Sequence, residues 1–284
     1  MKNITVTLCT LNEEKNIFNC LETIKKEKPF EIILIDANSN DKTREIAKKF
    51  NVKVLNVKKK GLAYQRKIGI NNVKTEYVCI LDADHRLKKG SLKKLIHEME
   101  KKKFTGIEAS IRKQNIKKNY WSDCFDINYK ISHNIPRETN MIGTPCIYKT
   151  KILKKINFDP FFTGPSDDTD LCYRIRKKGY KLGVGKAIIN HQNRTSFEEF
   201  FSKMIWYGKG DAQFIYKHPE RTLRMIFHQI INFPIIKNYK SISEGYFKSI
   251  PFFFLYGYLR FLSMILHIIK FLIFGAKDQN IYKT

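Results

Sequence analysis

The chain has 284 residues, 43% of them hydrophobic and 28% charged, which excludes a mainly disordered protein. It is long enough for one large domain with an appendage, or for two modest domains. Lys and Arg number 53 against 27 Asp and Glu, and the formal net charge of +26 indicates an anionic partner: nucleic acid, an anionic membrane surface or a phosphorylated substrate. The six cysteines lack disulfide or metal-ligand spacing, and the apolar run at residues 4–11 is too short for a secretory signal. We therefore expect the main domain in the cytoplasm.

Short apolar runs alternate with helix-like stretches through residues 1–105. Strands are predicted at residues 4–9, 31–35, 52–57 and 77–81, and a helical stretch follows each of them. Apolar strands that alternate with helices are typical of a parallel sheet covered on both faces. We predict an α/β fold with a doubly wound, mostly parallel sheet, in which ligands bind beyond the carboxyl ends of the strands. Strand-like pieces at residues 142–148 and 180–190 belong to a less regular second half.

Polar side chains stand at the carboxyl ends of three predicted strands: Thr10 with Asn12, Asp36, and the pair Asp82 and Asp84. The paired aspartates are two positions apart, so in an extended segment both project to the same side. At about 4 Å two carboxylates repel by roughly 4 kcal/mol at an effective dielectric of about 20, and a bound Mg²⁺ or Mn²⁺ reverses that repulsion. On its own an Asp-x-Asp sequence favours a polar turn. Its place among other strand-end polar groups favours a metal and diphosphate site.

Asp36 and three further residues have the chemistry of a binding or catalytic site, each with a structural alternative. Asp36 suits a contact to a base or ribose, or is a turn-forming aspartate. Arg66 suits diphosphate oxygens, or lies on a solvated basic helix face. Asp168 lies among crowded carboxylates that raise one another's pKa, as a general base requires; the alternative is a set of acids favoured by a helix N-terminus. His191 follows a strand; a lone histidine there is more often structural, and it serves as a metal ligand only if the acidic pair lies nearby.

Four segments occur in the order and spacing of the family 2 glycosyltransferases, which the chain resembles over about residues 3–215. The resemblance implies a GT-A fold and an enzyme that inverts the anomeric centre. It implies a nucleotide pocket lined by Thr10, Asn12, Glu13 and Asp36. The segments are Thr10-Leu-Asn-Glu-Glu-Lys-Asn-Ile17, Ile35-Asp-Ala-Asn-Ser-Asn-Asp-Lys-Thr43, Leu81-Asp-Ala-Asp84 and Asp167-Asp-Thr-Asp-Leu-Cys-Tyr-Arg174.

The same resemblance implies the roles of the remaining candidates. Asp82 and Asp84 serve ribose, diphosphate and a divalent metal (Mn²⁺ or Mg²⁺), and His191 completes the metal site. Asp168 is the base. Apart from the resemblance, we expect Asp167 and Arg66 to bind substrate.

Three departures from the family pattern bear on function. Ala37 stands where many members have a second acid, which leaves recognition of the base less defined. The usual Glu-Asp pair is Asp167-Asp168, which keeps the base. The Gln-x-x-Arg-Trp signature of processive members is absent, and its nearest counterpart is Lys203-Met-Ile-Trp-Tyr207, so we expect a single sugar addition.

The C-terminal part is apolar, and residues 250–274 are long enough to cross a bilayer. A charge at the bilayer centre costs roughly 2.5–3.5 kcal/mol on insertion scales. A helix that lies in the membrane interface avoids this cost, and packing of a wide apolar face on the catalytic domain is the alternative. We favour peripheral or monotopic attachment to the inner face of the cell membrane. The polar residues form one narrow stripe, namely Arg260, Ser263, His267 and Lys270.

Taken together, these patterns predict a catalytic domain at residues 1–215 and a membrane-associating helical extension at residues 216–284. The nucleotide-sugar half of the catalytic domain is expected at about residues 1–105 and the acceptor half at about residues 106–215. The expected activity is metal-dependent transfer from a nucleotide-sugar to a hydroxyl of a lipid-linked or cell-surface glycan precursor. The rival hypothesis is a non-catalytic basic protein that binds membranes or nucleic acid on a degenerate transferase fold. The aromatic residues do not interleave with basic ones as stacking platforms do, so no nucleic acid partner is expected.

Overall fold

The computed structural model describes residues 3–58, 61–113, 119–132, 134–191 and 196–275, with the backbone alone at 112 and 113. The chain forms two compact units. The first comprises residues 1–114, 133–161 and 168–192, and the second comprises residues 115–132, 162–167 and 193–284.

The first unit is built on a sheet to which nine strands of the described residues contribute. Their order is β3-β2-β1-β4-β8-β6-β9-β5, with β7 paired to β9. The strands are β1 (Ile4–Thr10), β2 (Glu31–Asp36), β3 (Lys53–Asn56), β4 (Tyr77–Leu81), β5 (His85–Arg86), β6 (Gly106–Lys113), β7 (Glu138–Thr139), β8 (Cys146–Lys149) and β9 (Leu182–His191).

Eleven α-helices accompany the strands in the described part of the chain. Helices α5 and α8 to α11 belong to the second unit. Helix α7 begins at Asp167, which is the last residue of the segment 162–167 of the second unit, and the rest of α7 belongs to the first unit. The helices are α1 (Glu14–Glu27), α2 (Thr43–Lys49), α3 (Leu62–Asn72), α4 (Ser91–Lys101), α5 (Tyr120–Ser132), α6 (Thr150–Ile156), α7 (Asp167–Lys177), α8 (Phe197–Lys217), α9 (Thr222–Phe227), α10 (Asn238–Ser243) and α11 (Ile250–Phe274).

The doubly wound α/β fold predicted from the sequence is confirmed. Strands β1 to β4 are parallel, whereas β8 is antiparallel to both β4 and β6, so the second half of the sheet is mixed. The register pairs Thr10 with Asp36 and Leu8 with Leu81. The ends of β1, β2 and β4 therefore lie side by side, as the pattern of strand-end polar residues requires.

Helices cover both faces of the sheet because successive strand residues point to opposite sides. Ile4, Val6 and Leu8 of β1 share one core with the buried residues of α1 and α4. On the other face α3 approaches β2 so closely that a Cβ on Gly69 would lie 2.7 Å from Cδ1 of Ile35. Glycine at this position lets the helix lie close against β2, and the preceding turn of α3 carries Gln65 and Arg66 to the site.

The second unit is helical, and α8 and α11 run in the same direction. Ring contacts pair Phe200 with Phe252 (5.1 Å between centroids) and Tyr216 with Phe271 (6.1 Å). Between these pairs the helices touch, since a Cβ on Gly208 would lie 2.5 Å from the carbonyl oxygen of Arg260. Short 3₁₀-helices at Pro219–Arg221 and Phe247–Ser249 and a π-helix at His228–Lys237 connect the α-helices.

Three residues of the polar stripe of α11, namely Arg260, Ser263 and His267, face α8, whereas Lys270 is exposed. Ser263 and His267 are 1% and 8% exposed, and the Arg260 guanidinium binds the fully buried carboxylate of Asp211 (Nη2–Oδ1 2.7 Å). The outer face is apolar instead: Phe254, Tyr258, Leu262, Leu266, Ile269 and Ile273 are all exposed. Among the described residues, the stretch Phe247–Phe274 is long and apolar enough to cross a membrane by length and composition.

Candidate active site

The carboxylate of Asp36 is fully buried at the end of β2, where it organises a turn. It accepts hydrogen bonds from the Thr10 hydroxyl (2.9 Å) and from the backbone N–H and hydroxyl of Ser39 (2.8 and 2.6 Å). Arg44 lies 3.7 Å away. These contacts favour the turn-forming role of Asp36, and a contact to a nucleotide base stays a prediction.

The loop after β1 is bound to the same turn. Asn12 adopts a left-handed conformation (φ 57°), its backbone N–H donates to the Ser39 hydroxyl, and its side-chain oxygen accepts from the Asn40 N–H (both 2.9 Å). Glu13 follows. Its pKa is raised by burial and by the negative charges of Asp84 and Asp82, whereas a hydrogen bond from Asn16 lowers it. Glu13 therefore lies near the acidic pair, and its place in a nucleotide pocket stays a prediction.

Helix α3 carries two polar residues inward. Gln65 donates from its side-chain nitrogen to the backbone oxygens of Thr10 (3.1 Å) and Ile35 (2.8 Å), so it holds α3 against the ends of β1 and β2. Arg66 is 6% exposed and approaches Asp82 (Nη2–Oδ1 3.5 Å), with Phe158 under its guanidinium at 5.5 Å. The solvated-face alternative for Arg66 is excluded by this burial. Sequence reasoning missed Gln65.

The two aspartates of the Asp-x-Asp sequence have different partners. The Thr144 hydroxyl donates to Asp82, whose other oxygen faces Arg66. Asp84 instead faces His191, with 3.1 Å between Oδ2 and Nε2. The antiparallel pairing of His85 with His191 brings these residues together across β5 and β9.

The predicted metal site gains a residue that sequence reasoning missed. His85 is 2% exposed and lies 3.6 Å from Asp84, and ligand atoms of Asp84, His85 and His191 lie within 4.8 Å of one another. One carboxylate and two imidazoles fit a divalent transition ion. Nδ1 of His85 also accepts a hydrogen bond from the backbone N–H of Asp82 (3.1 Å), which orients the ring. The only sequence signal for His85 is its position directly after the acidic pair.

Asp168 lies in the first turn of α7, with its Oδ1 accepting from the Thr169 N–H at 2.7 Å. Burial raises its pKa and Asp82 adds to this, whereas Arg66 and Thr169 oppose it. The sequence predicted that crowding by the neighbouring aspartates raises the pKa of Asp168. The pKa is raised, but its main cause is burial. Asp170 is bound by Arg174 (2.6 Å). Asp167 is buried and belongs to the second unit, so its contact with substrate stays a prediction.

The sheet topology, with polar residues gathered at its carboxyl edge, fits the GT-A fold. Residues 5–157 match the family model described as Glycosyl transferase family 2. The chain therefore belongs to this family and is an enzyme of this type. The rival hypothesis of a non-catalytic binding protein is not favoured.

Known glycosyltransferases resemble the chain, one over most of its length and another over about a third of it. A dolichyl N-acetyl-alpha-D-glucosaminyl phosphate 3-beta-D-2,3-diacetamido-2,3-dideoxy-beta-D-glucuronosyltransferase of Methanococcus voltae is 27% identical, covering 76% of this chain and 75% of the relative. Glycosyltransferase GlyG of Streptococcus pneumoniae serotype 4 is 35% identical over 35% of this chain and 36% of its own length.

Solved structures share the fold at low sequence identity. The mannosyltransferase PcManGT of Pyrobaculum calidifontis, in complex with GDP-Man and Mn²⁺, is 14% identical with a TM-score of 0.61, covering 98% of this chain and 88% of that chain. TarS of S. aureus in complex with UDP-GlcNAc is 15% identical with a TM-score of 0.54, covering 95% of this chain and 92% of that chain. At these identities the likeness concerns the fold alone.

Proposed function

We propose that this glycosyltransferase is inverting and metal-dependent, and that it transfers one sugar from a nucleotide-sugar to an acceptor hydroxyl. The observation that supports it best is the contact between Asp84 and His191, whose Oδ2 and Nε2 atoms are 3.1 Å apart. The buried carboxyl of Asp168 belongs to the same compact unit. The acceptor class is a lipid-linked or cell-surface glycan precursor. This is supported by the name of the M. voltae relative, which specifies a dolichyl phosphate-linked sugar, and by a 28% identical match to a teichoic acid polymerase of Staphylococcus epidermidis.

In the proposed reaction, Asp168 accepts the proton of the acceptor hydroxyl while the hydroxyl oxygen attacks the anomeric carbon opposite the departing diphosphate. Arg66 is buried beside Asp82, and its guanidinium is placed to balance phosphate charge. Thr10, Asn12, Glu13 and Asp36 form the nucleotide end of the site.

Asp84 and His191, with Asp82 and His85 adjacent, are the residues we assign to a divalent metal, Mn²⁺ or Mg²⁺. When bound, such an ion supplies charge neutralisation for the leaving diphosphate. Asp82 is oriented to Arg66 and Thr144, so we assign it a shared role with the ribose.

The base assignment is tested by Asp168→Asn. A positioned general base contributes about 10²–10⁴-fold, so we expect a loss of at least about a hundredfold in the rate of sugar transfer. The assay measures nucleoside diphosphate release and sugar transfer for a panel of nucleotide-sugars with Mn²⁺ or Mg²⁺. Asp123→Asn, which removes a partly exposed partner of Lys248, serves as the matched control. Full activity of folded Asp168→Asn contradicts the assignment.

We further propose that residues 1–215 form the catalytic domain and that residues 216–284 attach it to the inner face of the cell membrane. The support for attachment is the apolar outer face of α11. Helix α8 groups with the C-terminal helices in the second compact unit, so attachment involves residues on both sides of position 215.

A further inference from the structure

A second buried carboxyl lies beside the proposed base. Glu108 of β6 is 6% exposed, and its Oε2 accepts a hydrogen bond from the Gly143 N–H at 3.2 Å. A Cβ on Gly143 would lie 3.6 Å from Oδ2 of Asp168, so the two carboxyls approach the same glycine. The pairing of β6 with β9 is irregular between Glu108 and Ser110. Such irregularities re-aim side chains and are frequent next to active sites.

The two carboxyls have unequal support for a negative charge. Asp168 receives the Thr169 N–H at 2.7 Å and feels the positive charge of Arg66. Glu108 accepts a hydrogen bond from the backbone N–H of Gly143 at the longer distance of 3.2 Å. An ionised carboxylate that is buried with so little compensation is costly, and a second carboxylate nearby adds to the cost.

The charged and titratable groups around Glu108 come from two elements and one loop. They are Asp168 and Cys172 on α7, Cys146 on β8, and Arg137 ahead of β7. The two thiols are buried, and burial raises the pKa of Cys172 to about 12, so they stay neutral near neutral pH. Burial, with the charge of Asp168, raises the pKa of Glu108 to about 8, against Gly143 and Arg137, which lower it.

We propose that Glu108 and Asp168 form a carboxyl pair that holds one proton at neutral pH, with the proton on Glu108 and the negative charge on Asp168. Glu108 is then a positioning residue, because it acts through Asp168 and keeps that carboxylate ionised and ready to accept a proton. This pairing rests on the proposed function only for the role of Asp168 as base. The pair itself is a property of the folded chain and is measured without substrate.

The test compares the pH dependence of unfolding in four full-length proteins: wild type, Glu108→Gln, Asp168→Asn and the double variant. A carboxyl whose pKa is raised by folding stabilises the fold at low pH, and this contribution is lost as the pH rises through the folded pKa. Relative to Glu108→Gln, the wild type should therefore lose stability between about pH 5 and about pH 8. The ratio of the two unfolding constants should change by about tenfold per pH unit within this window and become constant above it.

The Asp168→Asn background separates pairing from burial. Without the neighbouring negative charge, Glu108 ionises at lower pH, so the Glu108→Gln effect should level off at lower pH than in the wild-type background. Glu22→Gln, which removes an exposed carboxyl of α1, is the control for loss of one acid. If Glu108→Gln does not fold, Glu108→Met takes its place as an apolar substitute of similar length.

Activity then distinguishes this proposal from the base assignment. The kcat–pH profile of the wild type should show an ionisation near pH 8 that Glu108→Gln lacks. If the free energy of unfolding depends on pH in the same way in wild type and Glu108→Gln, the proposal that Glu108 is protonated is wrong. If the Glu108→Gln effect spans the same pH range in both the wild-type and the Asp168→Asn proteins, the pairing of the two carboxyls is wrong. A fully active Asp168→Asn overturns the base assignment while the stability data still establish the pair.

Discussion

Asp84 and His191 meet because a two-residue strand, β5, pairs with the end of the ten-residue strand β9. The register sets His85 opposite His191, and Asp84 is the residue just before that pair. The sequence predicted Asp84 and His191 as ligands through the family resemblance. It did not show that His85 points inward, because this depends on a pairing between distant parts of the chain.

The proposed metal site is tested by Asp84→Asn and His191→Gln. Each variant removes a donor, and we expect Mn²⁺ affinity to fall by at least about tenfold, since loss of even an outer-shell partner has an effect of this size. Affinity should also fall with decreasing pH, because imidazole must be neutral to bind a metal. Calorimetric titration of Mn²⁺ into the full chain measures both effects. Asp123→Asn is the control, and wild-type affinity in both site variants contradicts the assignment.

Asp36 and Arg66 show what a local pattern leaves undecided. For each of them the sequence left two alternatives open. Burial against Phe158 and Asp82 decides for an inward-facing Arg66, whereas the contacts of Asp36 with Thr10 and Ser39 favour a turn. Both outcomes depend on tertiary packing, which periodicity does not encode.

Among the elements, strands β1, β2 and β4 were predictable because largely apolar runs identify buried parallel strands. Strand β3 is short and only partly buried, and its prediction depended on its place in the alternation of strands and helices. Strand β6 was not predictable, since its residues Gly106–Lys113 include Glu, Ser, Arg and Lys. Glu108 lies on this strand, so no sequence pattern indicated a carboxyl beside Asp168. The antiparallel direction of β8 was likewise not encoded in its local pattern.

Helix α11 carried a clear polar stripe in the sequence, but the pattern did not say which side of the helix faces the protein. In the structure Arg260 and Gln229 both bind Asp211 on α8, and Ser263 donates to the backbone oxygen of Ile205 (2.8 Å). A helix with polar contacts inside and apolar residues outside is typical of proteins that contact lipid. Arg260 and Ser263 of the stripe thus connect α11 to α8 inside the second unit.

The connection between α8 and α11 is tested by Asp211→Asn. The change leaves the buried Arg260 guanidinium without its anionic partner, which typically costs about 3–5 kcal/mol in the free energy of unfolding. Asp123→Asn breaks the more exposed pair with Lys248 and should cost about 1 kcal/mol or less. Urea unfolding followed by circular dichroism measures both. Equal stability of the two variants contradicts the inferred role of Asp211.

At the scale of the whole molecule, the net charge of +26 and the exposed apolar residues together suit binding to an anionic membrane surface. Most of the exposed large apolar side chains in the described chain lie beyond residue 222, with Leu223 at 83% and Leu272 at 76%. Residues 216–275 contain eight Lys and Arg but two Glu. Apolar residues that enter the acyl region and basic residues that meet anionic headgroups are the two components of interfacial binding.

We therefore expect the full chain to sediment with vesicles that contain anionic phosphatidylglycerol and much less with neutral vesicles. Each basic residue near an anionic surface contributes about 1 kcal/mol, so added salt should weaken the binding without abolishing the apolar part. The triple variant Leu262→Gln, Leu266→Gln and Ile269→Gln removes three neighbouring apolar side chains from the outer face of α11.

At about 1.5–3 kcal/mol for each fully buried side chain, the triple change should weaken vesicle binding by at least about a hundredfold. The matched control replaces Phe18 and Phe30, which are exposed apolar residues of the first unit, by Gln and should bind as the wild type does. Equal loss in both variants would mean that α11 is not the attachment surface. Vesicle binding that depends on salt alone, and is unchanged in the triple variant, would assign attachment to the basic residues.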